Sequence, residues 1–161
     1  MASFADVASE EHEFAARVRT AFDAHAHKFL ATLRADGSPR ISATEAGFGD
    51  GNLWFGSMTG AVKARDLQRD PRVALHSAPV DEELTDGDAK ISGRVTEVTD
   101  PDELRAYAGG TTPEDVEPPD DFHLFRVDVE EIALTTVDQE RQLLIVDSWN
   151  PTRGQHHVER T

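Results

Sequence analysis

Residues 55–77 read FGSMTGAVKARDLQRDPRVALHS, the most informative stretch of the chain. A strand ends in a turn of glycine and hydroxyl residues, and a short helix follows, capped by Ser57 or Thr59. Asp70-Pro71 ends the helix, because the residue before a proline avoids the helical region. Residues 72–77 then alternate as a strand, so the stretch predicts a strand–helix–strand unit.

Upstream of this unit, two alternating segments predict a β-hairpin. Residues 27–34 and about 40–48 flank Asp36-Gly37, a pair typical of tight turns. A third strand, residues 53–58, follows the glycine-rich turn at 49–51. Alternation along the first strand puts Phe29, Ala31 and Leu33 on one side.

Downstream, three more segments predict strands. Residues 89–98 form the first, with a bend or bulge at Gly93. Segments near 122–137 and 142–149 form two long ones. Seven strand segments with short connections predict a mainly antiparallel domain. A small barrel is the natural solution, because closure removes exposed edges.

Two further helices are expected outside the strands. The first covers residues 9–26, with Ser9 as its cap and one apolar stripe formed every fourth residue. The second is capped by Asp100 and stops at Gly109-Gly110. The acidic segment 111–121 predicts a loop. The stripe of the first helix consists of Phe14, Val18 and Phe22.

Composition sets limits on partners and on the site. The 161 residues carry a formal net charge of −15, which argues against binding to nucleic acid or to an anionic membrane surface. The chain has no cysteine, which excludes thiolate metal sites and cysteine nucleophiles. No metal site is predicted from its histidines. Without a signal-peptide pattern at the N-terminus, a cytoplasmic location is expected.

The start of the central helix is the candidate anion site. Lys63 and Arg65 lie in its first turns, where cations oppose the helix dipole. They would be favourable if an anion met the free backbone N–H groups there. The alternative is a capped helix whose two cations are exposed and pair with Asp66 or Asp70.

The second strand allows two interpretations as well. Arg40, Ser42 and Thr44 share one face, which is either exposed to solvent or lines a ligand. No phosphate-binding loop or nucleophile elbow is present. The glycines between residues 47 and 51 predict a hairpin turn rather than a dinucleotide fingerprint, because no helix follows them.

The order of these segments resembles the pyridoxamine 5′-phosphate oxidase-like family of split β-barrel flavoproteins. The resemblance runs from about His27 to Thr99, through FLATLRADGSPRIS, LWFGS, TGAVKARDLQRDPRVALHS and AKISGRVTEV. Its most specific part is a helical lysine followed by leucine and by Asp-Pro-Arg-Val at the start of a strand. The fold implied is a split antiparallel β-barrel with attached helices, of the α+β class, with six to seven strands.

The resemblance also implies a homodimer with a cofactor site at the subunit interface. FMN is the usual cofactor, and a deazaflavin replaces it in some actinobacterial relatives. Lys63 would meet the cofactor phosphate, and Arg65 would assist it. The other residues implied are Arg40, Ser42 and Thr44 along the cofactor, and Phe55, Gly56 and Ser57 at its ring system or ribityl chain.

Two departures from the family limit the activity implied. The true oxidase has a C-terminal Arg-x-His pattern that grips its phosphorylated substrate, and residues 149–157 do not reproduce it. Val62 also replaces a cation that often precedes the lysine. The resemblance therefore implies an actinobacterial-type member other than the true oxidase.

Three hypotheses of function follow. The first is an FMN-dependent oxidoreductase that passes hydride to or from a small organic substrate, with no catalytic side chain assigned. The second is a deazaflavin-dependent reductase of the same fold. The third is a non-catalytic barrel that binds flavin or haem, for example in stress protection. A groove for the acidic tail of a deazaflavin would consist of Arg40, Lys63, Arg65, Arg69 and Arg72.

The organisation expected is one domain over residues 1–161. Residues 1–26 would form the N-terminal helix, and residues 27–149 the barrel. Residues 150–161 have no periodic pattern and are expected to form a tail. Trp149, just before the tail, is interpreted as a core or interface aromatic residue.

Overall fold

The computed structural model describes residues 2–111 and 121–161, and four helices and eight strands lie in that part of the chain. The acidic segment expected as a loop lies outside the described residues from 112 to 120. The helices are α1 (Phe4–Glu10), α2 (His12–Asp23), α3 (Val62–Arg69) and α4 (Pro101–Thr111). The strands are β1 (His27–Leu33), β2 (Pro39–Gly49), β3 (Asn52–Met58), β4 (Arg72–His76), β5 (Asp88–Val98), β6 (Phe122–Asp138), β7 (Leu143–Asn150) and β8 (Gly154–Arg160).

Six strands close into an antiparallel barrel, as predicted. They are ordered β3-β2-β1-β4-β5-β6, and β3 also pairs with the first half of β6, which completes the ring. The predicted hairpins at Asp36-Gly37 and at residues 49–51 are both confirmed by the β1–β2 and β2–β3 registers. Strands β7 and β8 extend from the second half of β6.

A bulge in the β5–β6 ladder lets β6 serve both parts of the sheet. The register shifts between Ser92 and Gly93, and Glu130 is left without a partner in the ladder. Before Glu130, β6 pairs with β3, and beyond it β6 pairs with β7. Bulges bend the strand that carries the extra residue. The predicted irregularity at Gly93 is therefore confirmed, and it lies where the barrel meets its extension.

The N-terminal region contains two helices, so the prediction of one helix over residues 9–26 was wrong. Ser3 caps α1, because its Oγ accepts from the Asp6 backbone N at 3.1 Å while the Asp6 carboxylate accepts from the Ser3 backbone N at 2.8 Å. Glu11 then breaks the helix with φ −134°. The predicted stripe of α2 is buried in the core and consists of Phe14, Val18 and Phe22.

The face of β1 that points into the core is not the one that carries Phe29, Ala31 and Leu33. Lys28, Leu30 and Thr32 point inward and are buried, whereas Phe29 is 52% exposed. The inward lysine is accommodated because its Nζ donates to the backbone carbonyls of His25 and Ala26. Both faces of β1 carry apolar residues, so alternation did not determine which one faces the core.

Helix α4 begins as predicted and ends later. The Asp100 carboxylate accepts from the backbone N of Asp102 and of Glu103, at 2.9 and 3.0 Å. The prediction of a stop at Gly109-Gly110 was wrong, because α4 continues to Thr111. No helix in the described part of the chain is long and apolar enough to cross a membrane.

The expected tail is largely a strand. Residues 154–160 form β8, which pairs with β7 over seven residues, so the prediction of an aperiodic tail was wrong. The buried Asp147 of β7 ties this hairpin to the rest of the molecule. Its carboxylate accepts from Arg17 of α2 at 2.9 Å and lies 2.6 Å from Nδ1 of His157 on β8. Trp149 is fully buried in the core.

Candidate functional site

The candidate site lies at an edge of β2 that no strand covers. The β2–β3 ladder includes only residues 46–49 of β2, whereas the β1–β2 ladder begins at Pro39. Residues 39–45 therefore have a strand on one side only, within the part of the chain that the structure describes. Helix α3 lies on the other side, where Lys63 Nζ donates to the backbone carbonyl of Ala43 at 3.0 Å.

Burial changes the pKa of Lys63. The side chain is half-buried, and desolvation lowers the pKa of its ammonium below the usual range. It has no carboxylate partner among the described residues, since its one hydrogen bond there goes to a carbonyl. A phosphate bound at this edge would supply the missing negative charge.

Beside this edge, α3 and the β1–β2 turn line an open cleft with a volume of about 470 Å³, which we call the arginine cleft. Four arginines and two aspartates give it a net charge of +2, within a chain whose net charge is −15. Its lining residues are Arg34, Ala35, Asp36, Arg40, Val62, Arg65, Asp66 and Arg69.

Asp66 forms the buried floor of the arginine cleft. Arg40 Nε donates to its carboxylate at 2.6 Å, and Arg69 Nη2 and Thr32 Oγ1 each donate at 3.0 Å. Burial alone would raise the pKa of Asp66, but the hydrogen bonds from Arg40, Arg69 and Thr32 outweigh it and hold this pKa below its usual value. Arg40 is therefore already paired, which sequence reasoning did not anticipate.

Two other arginines of the cleft form no ion pair with any described residue. Arg65 is exposed, and its side chain has no hydrogen bond or ion pair within residues 2–111 and 121–161. The alternative in which Arg65 pairs with Asp66 or Asp70 is therefore wrong for this residue. Arg34 donates only to a hydroxyl and to the Pro39 carbonyl, at 3.0 Å for the latter. These two guanidinium groups make the cleft suitable for an anion.

The two hydroxyls expected to cap the central helix do not cap it. Helix α3 begins at Val62 after Ala61, with no side-chain cap, so the prediction of a cap at Ser57 or Thr59 was wrong. Thr59 Oγ1 donates to the Asp121 carbonyl at 3.0 Å. Ser57 lies within β3, and Gly60 and Ala61 separate Thr59 from the helix start.

Ser57 is the more informative of the two hydroxyls. Its side chain is 6% exposed, and its Oγ has no hydrogen-bond partner in the described part of the structure. Buried hydroxyls without a partner are rare in native proteins, because each costs about 1–3 kcal/mol. Ser57 therefore remains a candidate ligand contact at the end of β3.

The polar face of β2 points inward. Ser42 is half-buried, and Thr44 is buried with its Oγ1 3.5 Å from the Gly56 carbonyl. The solvent-facing alternative for this face is wrong, because the exposed residues of β2 are the intervening ones, such as Ile41. Of the three predicted residues on this strand, the structure places Arg40 in the arginine cleft.

The predicted residues Phe55 and Gly56 of β3 face opposite sides of the sheet. The Phe55 ring is fully buried and stacks on Phe125 with centroids 5.4 Å apart, so it belongs to the barrel core and does not reach the arginine cleft. Gly56 faces the opposite side, where a Cβ would lie 3.8 Å from the Tyr107 ring. Neither contact was predicted from the sequence.

Sequence reasoning also missed Arg34. The β1–β2 register pairs Thr32 with Arg40, which brings Arg34 at the beginning of the turn beside the same end of β2. The predicted hairpin at Asp36-Gly37 was the available signal, because it puts Arg34 and Arg40 at the same end of two adjacent strands. By contrast, Arg72 pairs with Asp70 at 2.6 Å and lies outside the lining of the cleft.

Comparison with known proteins places this geometry in context. The family model described as pyridoxamine 5′-phosphate oxidase matches residues 14–136. Comparison with curated proteins gives no match.

Solved structures share the fold. A pyridoxamine 5′-phosphate oxidase-related, FMN-binding protein from Nostoc punctiforme has 16% identity and a TM-score of 0.64, covering 94% of this chain and 96% of its own. PhzG from Burkholderia lata, in complex with tetrahydrophenazine-1-carboxylic acid, has 15% identity and a TM-score of 0.61, with 93% and 87% covered. An F420 reductase has 25% identity and a TM-score of 0.52, with 66% and 88% covered.

Proposed function

Because the chain belongs to the pyridoxamine 5′-phosphate oxidase family, whose model matches residues 14–136, we propose that it is a flavin-dependent oxidoreductase. It would bind FMN with the phosphate between the arginine cleft and Lys63. The cofactor supplies the redox step by accepting or giving a hydride, and the protein supplies binding and orientation. The reacting partner would be a small organic molecule.

The guanidinium groups of Arg34 and Arg65, which form no ion pair within the described residues, carry this proposal. A cavity with a net charge of +2 is unexpected on a surface that is otherwise strongly acidic, unless an anion occupies it. Lys63, half-buried without a carboxylate, adds a third cation at the adjoining edge of β2.

The residues present fit a phosphorylated flavin in one further respect. The buried Oγ of Ser57 lacks a partner in the described structure and could donate to a polar atom of the cofactor. Thr44 and Gly56, predicted along the cofactor, lie together near the same end of β3. Phe55 could act only through its backbone, since its ring is in the core.

Titration with FMN tests this assignment. Arg65→Ala should weaken FMN binding by about 10- to 100-fold, because a hydrogen bond to a charged group contributes about 1.5–3 kcal/mol. Lys63→Ala should weaken it similarly. Affinity is measured by the quenching of flavin fluorescence. Lys90→Ala is the matched control, since Lys90 is exposed on β5 outside the cleft and should leave affinity unchanged.

Two outcomes would contradict the assignment. One is a wild-type protein that binds neither FMN nor a deazaflavin. The other is equal FMN affinity for the wild type, Arg65→Ala and Lys63→Ala. A bound cofactor that is reduced and never reoxidised by any acceptor would support binding without catalysis, the non-catalytic hypothesis.

A deazaflavin is the second candidate cofactor. The F420 reductase of the same fold is 25% identical over 66% of this chain, which makes this alternative specific. The arginine cleft could bind the carboxylates of a deazaflavin tail as well as a phosphate. Parallel titrations with FMN and F420 distinguish the two, since the true cofactor should bind at least tenfold more tightly.

We also propose that the protein is a homodimer. Phe29 and Ile41 project from the outer face of β1 and β2 and are 52% and 75% exposed. Met58 and Val62, also exposed, flank the loop that leads to Lys63. We call these four residues the apolar face. Exposed apolar surface beside a charged site suits an interface with a second copy of the chain.

Sedimentation velocity tests the homodimer. Ile41→Glu should shift the protein from dimer to monomer, because the interface would have to bury an unpaired carboxylate. The matched control is Leu144→Glu, on β7, where an exposed leucine lies away from the apolar face and should leave the dimer intact. A wild type that is monomeric at micromolar concentration would exclude the proposal.

A further inference from the structure

A second cavity lies on the outer side of the barrel, under α4. It has a volume of about 530 Å³ and shares no lining residue with the arginine cleft. Its floor is the outward face of β2, β3 and β6, and α4 covers it. The residues that matter for its chemistry are Gly47, Gly49, Trp54, Tyr107 and Arg126.

The cavity exists because β2 has two glycines, which carry no side chains, beneath α4. Gly47 pairs with Trp54 across β2 and β3, and a Cβ at Gly47 would meet nothing within 4 Å. Gly49 and Gly56 lie on the same outward face, since alternate residues of a strand share a face. Tyr107 of α4 packs against Gly56, whereas Gly47 and Gly49 line the cavity and add no side chain to it.

Aromatic rings form the walls of this space. The Trp54 indole is held in place by its Nε1, which donates to the Gly49 carbonyl at 2.8 Å. Tyr107 of α4 is half-buried, and burial raises the pKa of its phenol above the usual value. Two rings with fixed positions offer flat surfaces for a planar guest.

Arg126 supplies the charge inside the cavity. Its guanidinium lies 5.9 Å from the Trp54 ring centroid, and it has no carboxylate partner within residues 2–111 and 121–161. Asp50 and Glu103 also line the cavity, but both are exposed, so solvent screens their charge. The half-buried cation is therefore the stronger determinant of ligand charge.

We propose that this cavity is a second ligand site, which takes a planar aromatic carboxylate or sulfonate. The ring would lie against Trp54 and Tyr107, and the acid group would meet Arg126. Packing of Trp54 against Gly49, where a Cβ would lie 3.9 Å from the indole, can by itself be explained as an aromatic residue covering a strand glycine. The contact of Arg126 with the Trp54 ring leaves its charge without a carboxylate among the described residues, and the packing leaves the cavity open; a bound aromatic acid accounts for both.

Calorimetric titration with 1-naphthalenesulfonate tests the site. Arg126→Gln should weaken binding of this probe by about tenfold or more, through loss of a charged hydrogen bond. Gly47→Leu should abolish binding, because the leucine side chain would occupy the empty volume. Arg65→Ala, in the arginine cleft, is the matched control and should bind the probe as the wild type does. The uncharged 1-naphthol should bind less tightly than the sulfonate.

The results of this titration distinguish binding in the second cavity from binding in the proposed flavin site. The proposal is overturned if the wild type fails to bind the probe, or if Arg126→Gln binds it with unchanged affinity. It is also overturned if Arg65→Ala loses the probe, or if FMN displaces it competitively, since either result places the probe in the flavin site. Circular dichroism checks the folding of Gly47→Leu, and Arg126→Gln decides the question if that variant is unfolded.

Discussion

Replacing Asp66 by alanine is expected to lower the free energy of unfolding by about 3–5 kcal/mol, the cost of breaking a buried ion pair by removing one partner. Asp66 is 3% exposed, and three donors converge on it from α3, β1 and β2. Without the carboxylate, the half-buried Arg40 is left without its partner. Urea denaturation at pH 7 measures the loss.

The pH dependence of that loss identifies its cause. The folded-state pKa of Asp66 is lowered, so its ionised form stabilises the protein above the unfolded pKa of about 3.9. This contribution disappears as the pH falls through the lower folded value. The stability difference between the wild type and Asp66→Asn should therefore narrow below about pH 4. A difference that stays constant with pH would contradict the ion-pair explanation.

The same substitution provides a link to the proposed site. Removing Asp66 would raise the net charge of the arginine cleft and release Arg40 and Arg69. Folded Asp66→Asn should then bind FMN more tightly than the wild type, although it is less stable. Asp23→Asn is the matched control, because the exposed Arg19–Asp23 pair should contribute little to either property.

Gly93→Ala is expected to destabilise the protein by about 3 kcal/mol, at the upper end of the cost of overpacking. A Cβ at Gly93 would collide with the backbone carbonyl of Asp128 on the neighbouring strand. Backbone in a central ladder cannot move aside as a flexible side chain can. The collision would fall at the bulge where β6 passes from the barrel to its extension.

Gly47→Ala is the control for this prediction. Gly47 is also a strand glycine, and a Cβ there would meet nothing within 4 Å, so only a small change in stability is expected. Urea denaturation compares both variants with the wild type. Equal losses for the two alanines would show that the collision with Asp128 is not the cause.

Local patterns predicted much of the fold because they involve neighbours in the chain. Asp36-Gly37 predicted the β1–β2 hairpin, and Asp70-Pro71 predicted the end of α3. The capping role of Asp100 was also readable, since its carboxylate bonds to groups two and three residues away. The stop at Gly109-Gly110 was wrong because glycine only weakens a helix, by about 1 kcal/mol.

The sequence predicted where the cations of α3 lie, but it did not predict which of them form ion pairs. Lys63 and Arg65 lie on α3 at the edge of β2, as the anion-site interpretation requires. Whether each is paired depends on residues far away in the chain. Arg40 meets Asp66 across 26 residues of sequence, and no spacing rule links such positions.

The sequence alone determined that this chain forms an antiparallel barrel with a basic helix inserted after its third strand, and that it resembles a flavin-binding family. Turns, caps and alternation are short-range, so one chain segment is enough to specify them. Tertiary structure decided which face of β1 is inside, that residues 154–160 pair with β7, and that Arg65 rather than Arg40 keeps a free charge. These outcomes depend on which strands and side chains meet when the barrel closes, because burial and ion pairing are properties of neighbours in space.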